Sequence, residues 1–181
     1  MWVRHEVKPR EFRTPVTPEH AKALVQAGHS VSVESSPTRC FDDAEFKAAG
    51  CSVVAQGAWP EAPADAYVLG LKELPETPDA LRHRHIYFAH CYKFQKGWAE
   101  LLGRYARGGG EVLDLEFLVD DKGVRVAAFS YMAGVAGAAI SLDQWSTSAR
   151  DPAAMLEKAD PWPSRADAAR QLAAKIAALP K

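Results

Sequence analysis

Short apolar runs alternating with helix-length segments, most of them stopped by a glycine or a proline, constrain this chain more than any other feature. Trp2 to Val7 reads as a strand, and a helix follows from Thr17, whose hydroxyl can cap it ahead of Pro18 at the first helical position. Gly28 ends that helix. Val31-Ser-Val33 alternates as a strand does, Asp43 to Ala49 forms a short helix, Gly50 stops it, and Cys51 to Val54 makes the next strand. Beyond the Pro-rich stretch Trp59 to Pro63, the runs Ala66 to Leu71 and Ile86 to Ala89 read as buried strands. Trp98, Leu101, Leu102 and Tyr105 share one helical face, and the glycines at 108 to 110 close that helix before a strand at Val112 to Leu115. Asp120-Asp-Lys-Gly123 is a turn into a strand over Val124 to Phe129, and a small-residue helix over Met132 to Ser146 carries Gly134 and Gly137, which admit a close neighbour. Asp151 to Pro163 is a Pro-punctuated connector, and Ser164 to Leu179 is an Ala-rich amphipathic helix. The pattern specifies an α/β fold with a largely parallel sheet flanked by helices, with residues 1–146 forming one domain and 147–181 a connector and C-terminal helix.

At 181 residues the chain can bury one substantial core. Its 22 Lys and Arg balance 23 Asp and Glu, which leaves no electrostatic footprint for nucleic acid or an anionic membrane and favours a small polar ligand. The start MWVRHEVK has no apolar core of a signal peptide, and no uninterrupted apolar stretch has the length of a membrane span, so the expected location is the cytoplasm. Cys40, Cys51 and Cys91 lack zinc-site spacing and are odd in number, so reduced, mostly buried thiols are expected, with no metal.

The chemistry is suggested by position: ionisable residues stand where apolar runs end. Lys72 and Glu73 follow Tyr67-Val-Leu-Gly-Leu71, His90 follows Ile86-Tyr-Phe-Ala89, Glu116 follows Val112-Leu-Asp-Leu115, and Lys8 follows the first strand. In open α/β sheets ligands bind beyond the carboxyl ends of the strands, so these groups are candidates for one site; taken singly, each is equally a charge marking where a strand meets water. Lys72 and His90 are the candidate acid–base pair, because histidine titrates near neutrality and a lysine can be brought there by its surroundings. Glu73 and Glu116 would oppose that by favouring the protonated cations. Arg13 and Arg125 are candidates for bidentate capture of carboxylates, although solvated arginines would look the same. Cys91 beside His90 is a poor nucleophile–base pair, because successive side chains in an extended segment point to opposite faces. Arg82-His-Arg-His85 reads as a solvated basic approach to a strand.

At these residues the sequence resembles a known family. Lys8-Pro-Arg-Glu-Phe-Arg13 with Thr17-Pro18 resembles the amino-terminal motif of the alanine dehydrogenase and transhydrogenase superfamily. Gly70-Leu-Lys-Glu-Leu-Pro75, Phe88-Ala-His-Cys-Tyr-Lys93, Gly108-Gly-Gly110, Asp114-Leu-Glu-Phe117 and Arg125-Val-Ala-Ala-Phe129 resemble, in order and spacing, the lysine-forming saccharopine dehydrogenases. The resemblance implies a Rossmann-like substrate-binding and catalytic domain acting in the conversion of saccharopine, NAD and water to lysine, 2-oxoglutarate and NADH. It implies Lys72 as base for the secondary amine, His90 for the proton transfers of imine hydration, Glu73 and Glu116 as tuning groups, and Arg13, Arg125 and Lys93 as holders of substrate carboxylates. Ser130 stands where the family usually has glycine, and Phe94 and Lys96 alter the segment after Lys93. Gly134-Val-Ala-Gly137 is not the G-x-G-x-x-G turn of a dinucleotide site, so NAD is expected to be held outside these residues, by the rest of a longer enzyme or by a separate nucleotide-binding chain, and no NAD-dependent turnover is expected from this chain alone. The alternatives are a stand-alone non-redox enzyme acting on an amino acid or imine with the same acid–base pair, and an amino-acid- or keto-acid-binding module. The small-residue helix is also compatible with a homo-oligomer.

Overall fold

The computed structural model describes residues 1–128, 130–156, 162 and 164–179. It divides into two compact units, Met1–Ala127 and Ala128–Lys181. The sequence-derived boundary at 146 falls within an unbroken helix, Ser130–Ser148, where Gly134 and Gly137 are tolerated rather than acting as stops.

The first unit contains β1 (Trp2–Val3), α1 (Pro18–Gln26), β2 (Ser32–Glu34), α2 (Asp43–Ala48), β3 (Ser52–Val54), β4 (Tyr67–Leu69), β5 (Arg84–Tyr87), α3 (Trp98–Gly108) and β6 (Glu111–Asp114). A six-stranded sheet runs in the order β3-β2-β1-β4-β5-β6, and every ladder is parallel. Two faces must therefore be covered, and two apolar clusters cover them. Val3, Val33 and Leu69 meet Ala21 and Phe46 in one, whereas Val68, Tyr87, Leu81 and Tyr105 join Trp59 in the other. Alternation along each strand assigns neighbouring residues to opposite clusters, as Val68 and Leu69 illustrate. The strand order reverses direction between β1 and β4, which is the position where such sheets open a crevice beyond their carboxyl ends.

Local chemistry accounts for the helix ends. The Thr17 hydroxyl accepts the His20 N–H at 3.2 Å, with Pro18 at the first position of α1. The Glu45 carboxylate accepts the Asp42 N–H at 2.8 Å at the start of α2. A side chain on Gly108 or Gly110 would land on the Leu81 backbone, whose carbonyl accepts the Gly110 N–H at 2.9 Å, so this strand–helix junction needs both glycines.

Three expectations are corrected. First, β1 stops at Val3 rather than Val7, because side chains replace the ladder beyond it: Glu34 accepts the His5 N–H at 2.8 Å. Second, Val124 to Phe129 is not a strand over its described residues. A single antiparallel bridge joins Val119 to Arg125, Asp120 folds the turn by accepting the Lys122 and Val124 N–H groups at 2.9 Å each, and Val124 and Val126 remain exposed; Phe129 lies outside the described residues. Third, the Arg82–His85 run is not uniformly solvated. His83 and His85 point inward while the arginines alternate outward, and the ring of His85 sits among Trp59, Tyr87 and Tyr105.

The second unit contains α4 (Ser130–Ser148) and α5 (Arg165–Ala177), joined by a 2.5 Å ion pair between Lys175 and the buried Asp143. A side chain on Gly134 or Gly137 would meet no described atom within 4 Å, so neither glycine is used for close packing within this unit. Residues 157–161 and 163 of the Asp151–Pro163 connector lie outside the described residues.

Candidate functional site

Two charged clusters stand beyond the carboxyl ends of β1, β4, β5 and β6. The first surrounds Lys72. The Leu71 and Lys72 N–H groups both donate to the buried Glu6 carboxylate, at 2.6 and 2.9 Å, and Lys72 influences the carboxylates of Glu11 and Glu73 electrostatically. Lys8 Nζ donates to Glu73 at 2.8 Å. Burial alone would raise the Glu73 pKa, but the hydrogen bond from Lys8, a backbone N–H and the charges of Lys8 and Lys72 bring it below the usual carboxylate range. Glu11 is held below its ordinary value chiefly by its hydrogen bond from Arg13, against the opposing effect of burial.

The second cluster centres on Glu116, at the turn that follows β6. Lys93 Nζ donates to Glu116 Oε1 at 2.5 Å, His90 Nδ1 lies 3.6 Å from Oε2, and Arg125 stands 3.9 Å from Oε1. The hydrogen bond from Lys93 is the main cause of a lowered Glu116 pKa; it outweighs burial and is reinforced by the charges of Lys93, His90 and Arg125. Glu116 Oε2 is buried and has no hydrogen-bond partner among the described residues, which leaves an acceptor beside the imidazole. His90 has a left-handed backbone (φ 54°) that non-glycine residues avoid at a cost of about 1–2 kcal/mol, and its ring stacks on Phe88. Such strain persists where the surroundings hold a side chain in place. Cys91 is buried and its thiol pushed up by that burial, so it is a packing residue.

A cavity of about 790 Å³ opens beside these groups, lined among others by Glu73, Leu74, Tyr87, His90, Lys96, Trp98 and Arg104. Its volume is in the usual range for a small-molecule site. Glu73 and His90 line it together; Lys72, Glu116, Lys93, Arg13 and Arg125 stand outside that lining. Arg13 differs most from expectation. Its guanidinium already makes a fork-to-fork pair with Glu11, at 2.7 and 2.6 Å, so a substrate carboxylate would have to compete with that carboxylate. Arg125 is half exposed and less tightly held.

The strand-end pattern passed over Arg4, Glu6 and Glu34. Charged residues flanking a strand ordinarily mark its exit to water, yet these three are buried. Their available signal was spacing: Arg4 and Glu6 are opposite charges two residues apart, on one side of an extended segment.

The described residues do not fit a dinucleotide. The chain takes fourteen residues, Arg4 to Thr17, to pass from β1 to α1, without a Gly-rich turn, and the start of α1 is capped by its own Thr17. The carboxylate at the end of β2, where nucleotide-binding sheets grip a ribose, is Glu34, and it is filled by Trp2 Nε1 and the N–H groups of His5, Gly57 and Trp59. Among the described residues no three His, Cys, Asp or Glu side chains form a metal cluster, and no helix is long and apolar enough to cross a membrane.

Comparison with known proteins adds three findings. Residues 2–136 match the family model described as "Alanine dehydrogenase/PNT, N-terminal domain". The saccharopine dehydrogenase [NAD(+), L-lysine-forming] of Emericella nidulans is 55% identical over 147 residues, covering 81% of this chain and 39% of the relative, and that of Schizosaccharomyces pombe is 46% identical over 177 residues, covering 97% and 48%. The chain thus spans two fifths to one half of the length of these relatives. Among solved structures, an L-alanine dehydrogenase superposes with a TM-score of 0.64 at 18% identity, over 97% of this chain and 52% of that one, a likeness of fold.

Proposed function

Because the chain belongs to the alanine dehydrogenase/PNT N-terminal domain family, we propose that it forms the substrate-side catalytic half of a lysine-forming saccharopine dehydrogenase, acting in the cytoplasm on a small amino-acid substrate. The observation that carries this reading is the placement of two acid–base candidates after adjacent parallel strands, each with its own carboxylate: Lys72 beside Glu73, and His90 beside Glu116.

NAD would be the two-electron oxidant for the carbon next to the secondary amine, and the described residues would contribute only the proton transfers and substrate contacts. Lys72 Nζ takes the proton that the amine nitrogen sheds as the C=N bond forms. His90 presents Nδ1 to Glu116, which leaves Nε2 for the substrate; it removes a proton from the water that adds to the imine carbon. It returns that proton to nitrogen, and as the C–N bond breaks and the C=O bond forms it takes the carbinolamine hydroxyl proton and delivers it to the departing amine, releasing lysine and 2-oxoglutarate. Glu116 stabilises the imidazolium between these transfers. Lys93 and Arg125, drawn to the same carboxylate, supply positive charge for the carboxylates of the substrate.

The test is a fusion of this chain to the remaining carboxyl-terminal portion of the Schizosaccharomyces pombe relative, compared with the 181-residue chain alone. The fusion should oxidise saccharopine with NAD, and the chain alone should neither turn over nor bind NADH in the micromolar range by fluorescence titration. Micromolar NADH binding by the chain alone would relocate the cofactor site, and consumption of an amino acid or imine without NAD would replace the redox reading with a non-redox one.

In the same fusion Arg125→Lys should raise the KM for 2-oxoglutarate, in the reverse direction, by about ten- to a hundredfold, since an ammonium cannot make the paired hydrogen bonds of a guanidinium. An unchanged KM would place the carboxylate elsewhere.

A further inference from the structure

Beyond the carboxyl ends of β1 and β4 stands a device that the acid–base assignment leaves unused. Arg4 and Glu6 form an ion pair of 3.5 Å with side chains 1% and 5% exposed. Burying two charges is costly unless their remaining hydrogen-bonding capacity is filled, so what fills it is informative. Glu6 Oε1 and Oε2 accept the Leu71 and Lys72 N–H groups, at 2.6 and 2.9 Å. Arg4 Nη1 donates to the His5 carbonyl at 3.2 Å, while Nη2 donates to the carbonyl of Lys72. The peptide groups on both sides of the Lys72 Cα are therefore held, one through its N–H and the other through its C=O. That fixes both backbone torsions of Lys72 and with them the direction in which its side chain leaves.

The neighbouring sequence is built around this contact. The guanidinium occupies the space that a Cβ on Gly70 would take, so the glycine before Leu71 admits Arg4 to the Lys72 carbonyl. Arg4 also lies over the Tyr87 ring, 5.7 Å from its centroid, at the end of the adjacent strand.

We propose that Arg4 and Glu6 are positioning residues that clamp the backbone of Lys72 and so aim its amine at the reacting nitrogen of the substrate. The function of the clamp rests on the catalytic reading of Lys72 given above. Its geometry is testable without that reading. A catalytic amine misplaced by about 1 Å loses on the order of a hundredfold in rate, which is the reason to hold it with buried charge rather than water.

The experiment uses the 181-residue chain with its lysines reductively methylated with carbon-13 formaldehyde, so that each dimethyl-lysine gives a signal, together with amide hydrogen exchange. In Glu6→Gln the Leu71 and Lys72 amides should exchange about tenfold faster or more, and the Lys72 signal should move towards that of a free lysine. Lys93, tied to Glu116 on another strand end, is the internal control and should not move. Arg4→Lys, which retains charge but cannot bridge two carbonyls and a carboxylate, should give the same pattern in smaller degree, and it decides the matter alone if Glu6→Gln fails to fold. Unchanged Lys72 amides and signal in a folded variant would overturn the clamp. So would parallel changes at Lys72 and Lys93, the mark of general loosening. In the active fusion, Glu6→Gln should lower kcat by about ten- to a hundredfold with little change in KM; an unchanged kcat would remove the positioning role. Inactivity of the unmutated fusion would count against the saccharopine dehydrogenase reading, while the amide and lysine signals would still decide the clamp.

Discussion

Replacing Lys72 with methionine in the saccharopine-oxidising fusion should lower kcat by about 10²–10⁴-fold, the usual contribution of a positioned general base. Methionine keeps the length and much of the apolar stem, and the two hydrogen bonds from the Leu71 and Lys72 N–H groups to Glu6 do not depend on the side chain, so the fold should survive. Because proton removal belongs to the transition state, kcat and kcat/KM should fall together while substrate affinity changes little. His90→Asn should also be slow, and with a different signature: it should accumulate the imine, because hydration is the step proposed for that histidine. Steady-state rates, a pre-steady-state burst of NADH and trapping of the imine with borohydride separate the two. A Lys72→Met enzyme within threefold of the parent rate would remove Lys72 from the chemistry.

The second large effect concerns stability in acid. His85 is fully buried, its ring is edged by Trp59, Tyr105 and Tyr87, and neither ring nitrogen has a hydrogen-bond partner among the described residues. Burial, with smaller contributions from the charges of His83, Arg4 and Arg104, lowers its pKa from 6.5 to about 3. The imidazole is therefore neutral in the folded chain and takes up a proton on unfolding whenever the pH lies between those two values. Above about pH 6.5 it has no effect on stability. As the pH falls towards 3, stability should be lost at up to about 1.4 kcal/mol per pH unit, or roughly 4–5 kcal/mol in all. Urea unfolding of the parent and of His85→Phe across this range isolates the effect, since carboxylate protonation is common to both. The phenylalanine variant should gain on the parent steadily below pH 6. Parallel acid limbs would mean that water or a rearranged partner reaches the ring.

Much of the fold was legible along the chain because it rests on local rules. Thr17-Pro18 starts α1 and the glycines at 108 to 110 end α3 through properties of a few adjacent residues. Parallel pairing follows where short apolar runs are separated by segments long enough to cross over, which are helical between β1 and β2, β2 and β3, and β5 and β6. The same rules failed where a long-range contact displaced the local preference. Glu34 shortened β1 from another strand, and among the described residues the alternation at 124 to 126 makes only the isolated bridge from Arg125 to Val119.

The site divides in the same way. Sequence by itself determined the inventory of chemistry, with Lys72 and Glu73 after one strand, His90 after the next and Glu116 after the third, since ionisable residues at strand ends must gather at one edge of a parallel sheet. Tertiary structure alone decided how those charges are shared. It gave Glu116 an ammonium, a guanidinium and an imidazole as neighbours and closed Arg13 onto Glu11. It also drew Arg4 and Glu6 out of water to grip the backbone of a residue 66 positions beyond Glu6. The reason is physical: partner and exposure are properties of the space between strands, and the hydrogen bonds that make a buried charge tolerable come from residues distant in sequence that the strand order brings beside it.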